Sequence, residues 1–444
     1  MAFDFVKTAS KRLDDYTAIA VSDQMDKVFK LGKSLKKARV IHVNSTAVGG
    51  GVAEILKSMV PMMSDSGPDS EWMVIEGTPE FFEITKRLHN LLQGAEGTLS
   101  DDELNRYVDH NRRVAEEIKA KGISPDVWVL HDPQTLPLTA FLPAESKVIW
   151  VCHIDTTLPN QQVIQQLLPF MQKAGRVVFS LPQYVVPGID SRRVRIIPPA
   201  IDPLLPKNVE ADAETIKQTL SRLGIDTSRP LLSQVSRFDF WKDPWGVIDA
   251  YRIVKKEIPE VQLAMLGVIE AKDDPEAFDV LDAVKKYAGD DPDIHLYSDP
   301  AQVGQPEVGM VQKGADVIIQ KSLREGFGLT VTEAMWKGTP VIGGNCGGIR
   351  TQIEDGRTGY LVDSVEECAE KMLHLLKNPE QARQIGDAAR ESVRQKFLTP
   401  RILGDYLSVI DEMVTSMETA PVPDGIPTDA QGAMMPGYIA GDGC

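Results

Sequence analysis

Between Ile197 and Leu204 the chain places three prolines, Pro198, Pro199 and Pro203, within six residues. Proline lacks a backbone N–H and restricts the residue before it, so neither a helix nor an interior strand runs through such a segment. The same pattern lies on both sides. Before the prolines, the apolar runs 40–43, 72–75, 127–130, 148–151 and 177–179 alternate with amphipathic stretches. After them come runs 231–235, 261–266, 294–296, 317–319 and 340–342, again separated by helical stretches. Short apolar runs alternating with helices predict parallel sheets covered on both faces. Two such series joined at a proline hinge predict an α/β chain of two doubly wound, Rossmann-like domains facing across a deep cleft. The expected domains are 1–202 and 203–398, followed by a helix over 399–418 and a disordered tail over 419–444. Ser100 and Glu103 form a capping box that predicts the start of a long helix.

The charge balance narrows the partners. Lys and Arg number 48 against 64 Asp and Glu, a formal charge of −16. Nucleic-acid binding needs a basic stripe to meet phosphates, so a nucleic-acid partner is not expected. A small phosphate ligand held by one or two local cations remains compatible with that charge. No stretch approaches 18 consecutive apolar residues, and the first 30 lack an apolar secretory core, so neither a membrane span nor a leader is expected. Cys152, Cys346, Cys368 and Cys444 form no CxxC pair, which fits neither a disulfide framework nor a zinc site. The expectation is a reduced, cytoplasmic protein.

Ligands of doubly wound sheets sit at the carboxyl ends of the strands, so the residues just after each apolar run carry the candidate chemistry. Gly49, Gly50 and Gly51 stand between a strand and a helix, where glycine admits close backbone approach and the helix start favours an anion. A ligand-free tight turn is the alternative. A dinucleotide fingerprint is a further one, with Glu76 after the second strand, but Glu54 occupies the position of its third glycine. Arg237 and Lys242 follow the run 231–235. A guanidinium fork and a point-charge ammonium five residues apart suit a diphosphate, or else form a solvated loop. The segment EGFGLTVTEA, 325–334, opens a helix after the run 317–319. Gly326 and Gly328 permit an exposed turn, and amides near Thr330 can face a phosphate. Glu325 and Glu333 can hold different hydroxyl-bearing ends of a ligand, or serve as ordinary charges at a helix start. His131, Asp132 and His153 also follow strands; for His153 the alternative is a hydrogen-bonded core histidine.

These residues carry a resemblance. EGFGLTVTEA is similar to the E-x7-E motif of retaining glycosyltransferase family 4, and SRFDFWK, 236–242, resembles that family's donor-phosphate cations. HVNSTAVGGGVAEIL, FFEITKRLHNLLQG, LHDPQ and CHIDTTLPN in the first half resemble its trehalose glycosyltransferring synthases. So do VSRFDFWKDPWGVIDAYR and REGFGLTVTEAMWKGTPVIG in the second, and the similarity runs from about Val40 to about Leu407. The resemblance implies a GT-B fold with its site in the interdomain cleft and a last helix crossing back to the N-terminal domain. It implies transfer of glucose from ADP-glucose or UDP-glucose to free glucose, giving α,α-trehalose. Arg237 and Lys242 would neutralise the leaving diphosphate, and Glu325 would hold donor-sugar hydroxyls. Glu333 would hold the ribose, and Gly49, Gly50 and Gly51 would close over the diphosphate. Gly326, Phe327, Gly328, Leu329 and Thr330 would complete the donor site. His153 would face the reacting sugars, with His131 and Asp132 shaping the acceptor site. No obligatory cofactor or metal is implied, magnesium being at most stimulatory, and a homodimer is the family-based expectation.

Retaining glycosidases place two carboxylates about 5 Å apart, one of them a nucleophile. No second carboxylate here is visibly aimed at an anomeric carbon, and the resemblance implies front-face return, with a donor phosphate oxygen taking the acceptor's proton. Rival functions are a family 4 enzyme with another acceptor, a nicotinamide-dependent oxidoreductase and a non-catalytic nucleotide-sugar sensor.

Overall fold

The computed structural model describes residues 2–267 and 276–415. Its N-terminal sheet contains β1 (Phe3–Phe5), β2 (Arg39–Asn44), β3 (Asp69–Ile75), β4 (Val127–His131), β5 (Val148–Cys152), β6 (Arg176–Phe179) and β7 (Val194–Ile196). Their spatial order is β1-β3-β2-β4-β5-β6-β7. Only β1 runs antiparallel, against β3; the neighbours from β3 to β7 are parallel. The second sheet holds β8 (Leu231–Val235), β9 (Gln262–Leu266), β10 (Ile294–Tyr297), β11 (Val317–Gln320), β12 (Val341–Gly344) and β13 (Tyr360–Val362). It is wholly parallel in the order β10-β9-β8-β11-β12-β13. This is the α/β, doubly wound architecture that the alternation predicts. Every residue of β4, β5, β8, β9, β11 and β12 is buried, as strands covered by helices on both faces must be.

Three strands go beyond those expected: β1, β7 and β13. Each is only three residues long at a sheet edge, and β1 and β7 are partly exposed, so none makes a continuous apolar run.

The helices of the first half include α1 (Ser22–Ser34), α2 (Gly50–Ser66), α3 (Pro79–Leu92) and α4 (Asp101–Ala120). Ser100 caps α4 through the reciprocal box with Glu103. The helix Thr399–Thr415 crosses back to pack on α1 and α2. Ile402, Leu403, Tyr406, Leu407 and Ile410 recur at helical spacing on one face and join the apolar cluster of Val40, Leu56, Met59 and Val129. Each such side chain, fully buried, contributes roughly 1.5–3 kcal/mol. The disorder expected of 419–444 concerns residues outside those described.

The chain passes between the sheets twice, at one place. Ile201 and Leu398 form an isolated parallel bridge: Ile201 N–H donates to Phe397 O and Thr399 N–H to Ile201 O, both at 2.9 Å. Beside it, Asp202 gathers three donors of the first domain. Lys11 Nζ and Ser58 Oγ each lie 2.6 Å from Oδ2, and Tyr16 OH lies 3.0 Å from Oδ1. The Asp202 side chain is 1% exposed, so these partners replace water completely. Breaking a buried pair from one side costs about 3–5 kcal/mol. Asp202→Ala is therefore expected to lower unfolding free energy by that order in urea titrations. A change below about 1 kcal/mol would show that the hinge does not depend on this carboxylate.

Candidate functional site

The strand order of each sheet reverses at one point: between β2 and β4 in the first, between β8 and β11 in the second. Crevices open at such points outside the carboxyl ends of the strands. The loops leaving these four strands are the glycine loop, His131-Asp132, the Arg237–Lys242 segment and the Glu325 loop. They line one cleft of about 700 Å³ between the domains.

Gly49 and Gly50 have φ of 74° and 75°, a left-handed backbone suited to glycine, and Gly49 caps α2. A Cβ on Gly51 would come 3.2 Å from Leu329 Cδ1, so this loop meets the opposite domain. Gly328, at φ 86°, caps the helix Leu329–Trp336, whose first residues, Leu329 and Thr330, line the cleft. Gly326 answers to packing: a Cβ there would lie 2.8 Å from His153 O. Tyr184 OH bonds Glu325 O at 3.1 Å and Gly326 O at 2.9 Å. Phe327 is buried in the second domain's core.

Lys242 and Glu325 are brought together, with Nζ 2.6 Å from Oε2. Both side chains are largely buried, and Gln234 Nε2 holds the Lys242 carbonyl at 2.8 Å. Arg237 is half exposed, and its Nη2 lies 3.8 Å from Asp239. Glu333 is 1% exposed and ion-paired with Lys207 at 2.6 Å, while Lys207 also bonds Glu54 Oε2 at 2.7 Å. Burial opposes the Lys207 charge, but Glu333 and Glu54 outweigh it and hold the ammonium above its ordinary range. Burial and Glu333 in turn push the Glu54 carboxyl up. Glu54 lies near the start of α2, just after the glycine loop, so this triad ties that loop to the E-x7-E helix.

Sequence reasoning missed Lys207, Lys86 and His89. Thr85, Lys86, His89 and Asn90 of α3 and Gln93 at its C-cap form one polar face along the cleft. Burial and the charges of Lys86 and Arg237 lower His89 to about 4. The spacing 86-89-90-93 was the available signal, a polar stripe at helical period beside an apolar one. Lys207 follows the proline hinge and had no periodic signal. Arg324 stacks its guanidinium 5.0 Å from the Trp241 ring centroid.

His153 lines the cleft, and its backbone N–H donates to Asp132 Oδ1 at 2.9 Å. Asp132 is a non-glycine residue at φ 62°, and burial raises its carboxyl. His131 is 1% exposed and stands behind His153: Nδ1 contacts His153 Nε2, and Nε2 contacts His42 Nδ1, each at 3.1 Å. It also lines the cleft, with both ring nitrogens engaged by neighbouring imidazoles. Cys152, Cys346 and Cys368 are free thiols, and Cys444 lies outside the described residues. Among the described residues no helix is long and apolar enough to cross a membrane.

Two facing doubly wound domains with glycine-bearing loops at both switch points have the architecture of the GT-B class. The UDP-forming α,α-trehalose-phosphate synthase of Burkholderia xenovorans superposes with a TM-score of 0.68 at 14% identity, covering 86% of this chain and all of that one. Residues 42–186 match the family model for the trehalose synthase N-terminal domain, and 215–392 match glycosyl transferases group 1. Trehalose synthase of Rubrobacter xylanophilus is 44% identical over 92% of this chain and 99% of its own. That of Pyrococcus horikoshii is 42% identical over 91% and 97%. The chain belongs to the trehalose synthase family.

Burial lowers His42 to about 3. Below pH 6.5 the unfolded chain takes up a proton at this residue and the folded chain does not, so stability falls as pH drops from 6.5 toward 3. The slope is at most about 1.4 kcal/mol per pH unit. His42→Asn removes it. Urea unfolding at pH 7 and pH 5 should show the native chain losing about 2 kcal/mol more than the variant. Equal losses would contradict the burial of this imidazole.

Proposed function

We propose that the cleft transfers glucose from a nucleoside-diphosphate glucose, ADP-glucose or UDP-glucose, to free glucose, forming α,α-trehalose with retention and in a reversible reaction. The observation that carries this reading is the contact of Lys242 with Glu325 in the cleft that the helix start at Leu329 and Thr330 also lines. In this reading the diphosphate lies across the N-terminus of helix Leu329–Trp336, where amides and dipole favour negative charge. Arg237 and Lys242 meet the charge that grows on the leaving diphosphate as the glycosidic bond breaks. Glu325 fixes the Lys242 ammonium and accepts from donor-sugar hydroxyls.

Glu325 and Glu333 are each held by an ammonium at 2.6 Å. That pairing favours binding roles over nucleophilic attack at the anomeric carbon. With no carboxylate assigned to that attack, the acceptor hydroxyl approaches on the face the diphosphate leaves, and a phosphate oxygen takes its proton. The sugar–diphosphate bond breaks as the new C–O bond forms, and the α configuration survives. Holding both sugars in one cleft supplies the orientation that a bimolecular reaction in water lacks. The name of these relatives, trehalose synthase, agrees with this product.

Incubation with each nucleotide glucose plus glucose, followed by proton NMR of the disaccharide, should show α,α-trehalose. A large anomeric coupling, typical of a β-glucoside, would overturn retention; another disaccharide would overturn the acceptor. Lys242→Ala should lower kcat by roughly 10² to 10³. Removing it leaves the largely buried Glu325 carboxylate without its ammonium, so Tm should fall as well, and a variant still folded at the assay temperature with near-normal turnover would place the diphosphate elsewhere.

A further inference from the structure

Three imidazoles form a continuous line from the cleft wall into the first domain. His153 Nε2 lies 3.1 Å from His131 Nδ1, and His131 Nε2 lies 3.1 Å from His42 Nδ1. Successive rings are nearly parallel, at 18° and 21°, with centroids 5.4 Å apart. His42 belongs to β2, His131 ends β4 and His153 follows β5, so the line crosses three adjacent parallel strands. At its inner end, His42 Nε2 is buried without a hydrogen-bond partner among the described residues.

A neutral imidazole has one N–H and one lone pair, so each nitrogen–nitrogen contact uses one of each and the whole line shares one direction. If the N–H groups point inward, the last of them is His42 Nε2–H, buried with nothing to accept it. If they point outward, His42 Nδ1–H donates to His131 and His131 Nδ1–H donates to His153. The inner end then carries only a lone pair, and the spare N–H emerges at His153 Nδ1. Orphaned buried N–H groups are rarer in proteins than under-satisfied acceptors. A doubly protonated member is disfavoured as well: burial lowers all three, at His153 against the opposing charge of Asp132, and His131 is lowered further through its two neighbours. The nearby Asp132 Oδ1 accepts from the His153 backbone N–H.

We infer that His42 and His131 are positioning residues that lock His153 as the Nδ1–H tautomer, which donates a hydrogen bond to a sugar oxygen in the cleft and cannot act as a base. His153 lines the cleft with Nε2 committed to His131, which leaves Nδ1 for the ligand. The nature of that oxygen rests on the glucosyl-transfer reading; the tautomer does not.

The direct test is a long-range proton–nitrogen correlation on full-length protein labelled with 15N-histidine, without sugar and at neutral pH. The expected spectrum shows a protonated Nδ1 and a bare Nε2 at His42, His131 and His153, assigned by loss of signals in substituted proteins. A protonated Nε2 at His153 overturns the inference. Two substitutions then link direction to turnover. His42→Asn keeps a donor near the Nδ1 position and should retain the His153 tautomer and most of kcat. His42→Asp, ionised, can only accept; it should reverse the line, give His153 Nε2–H and lower kcat at least about ten-fold, with donor KM changed far less. Undiminished kcat with a reversed line would overturn the role in turnover. If no nucleotide glucose gives trehalose while the His153 spectrum is as expected, the glucosyl-transfer reading fails and the tautomer assignment stands.

Discussion

The two backbone crossings at Ile201 and Leu398 sit side by side, joined by main-chain hydrogen bonds. This constraint makes a cleft rather than two independent domains. With both connections at one place, the domains have one pivot, and the carboxyl ends of their sheets face each other. Rotation about so few bonds separates the loops without disturbing either sheet, the arrangement of a hinge. What meets across the gap is consequently local: His153 and Tyr184 against the Glu325–Gly326 turn, Gly51 against Leu329, and Lys207 between Glu54 and Glu333.

Electrostatics in the cleft run against the chain as a whole. A protein of formal charge −16 lines this one space with Lys57, Lys86, Lys207, Arg237, Lys242 and Arg324, which together offset its carboxylates Glu54, Asp132, Asp239, Glu325 and Glu333. Lys207 and Lys242 are the most enclosed of those with carboxylate partners, and their partners hold them in position. A cation placed in advance and largely out of water stabilises growing negative charge without reorganising, which is where electrostatic catalysis gains most.

Much of this was legible in the sequence, for physical reasons. Interior parallel strands are buried on both faces, so β2, β4, β5, β8 and β9 declare themselves as apolar runs; β1, β7 and β13 at the edges do not. The loops at the strand ends were found because parallel sheets bind there, and Lys242 and Glu325 proved to be in contact although 83 residues apart. The histidine line was not legible. His42 appeared only as a polar residue inside an apolar strand, and its partner His131 is 89 residues away. Sequence spacing carries no record of which strands become neighbours. A buried histidine in a strand interior is the clue that something must satisfy its ring.

The crossing-back helix has a consequence for how the protein is made. The apolar cluster under the first sheet includes Ile402, Leu403, Tyr406, Leu407 and Ile410, contributed after the whole second domain has been synthesised. At roughly 5–20 residues per second, a ribosome takes about 10–40 s to travel from the first crossing to that helix. Through that interval the first domain exists on the ribosome with one face of its core open. Its native state is reached only by a contact spanning nearly the full chain, a slow and long-range closure. The second domain, by contrast, has its whole sheet in hand by Val362. The half that is translated first is thus the half that finishes folding last.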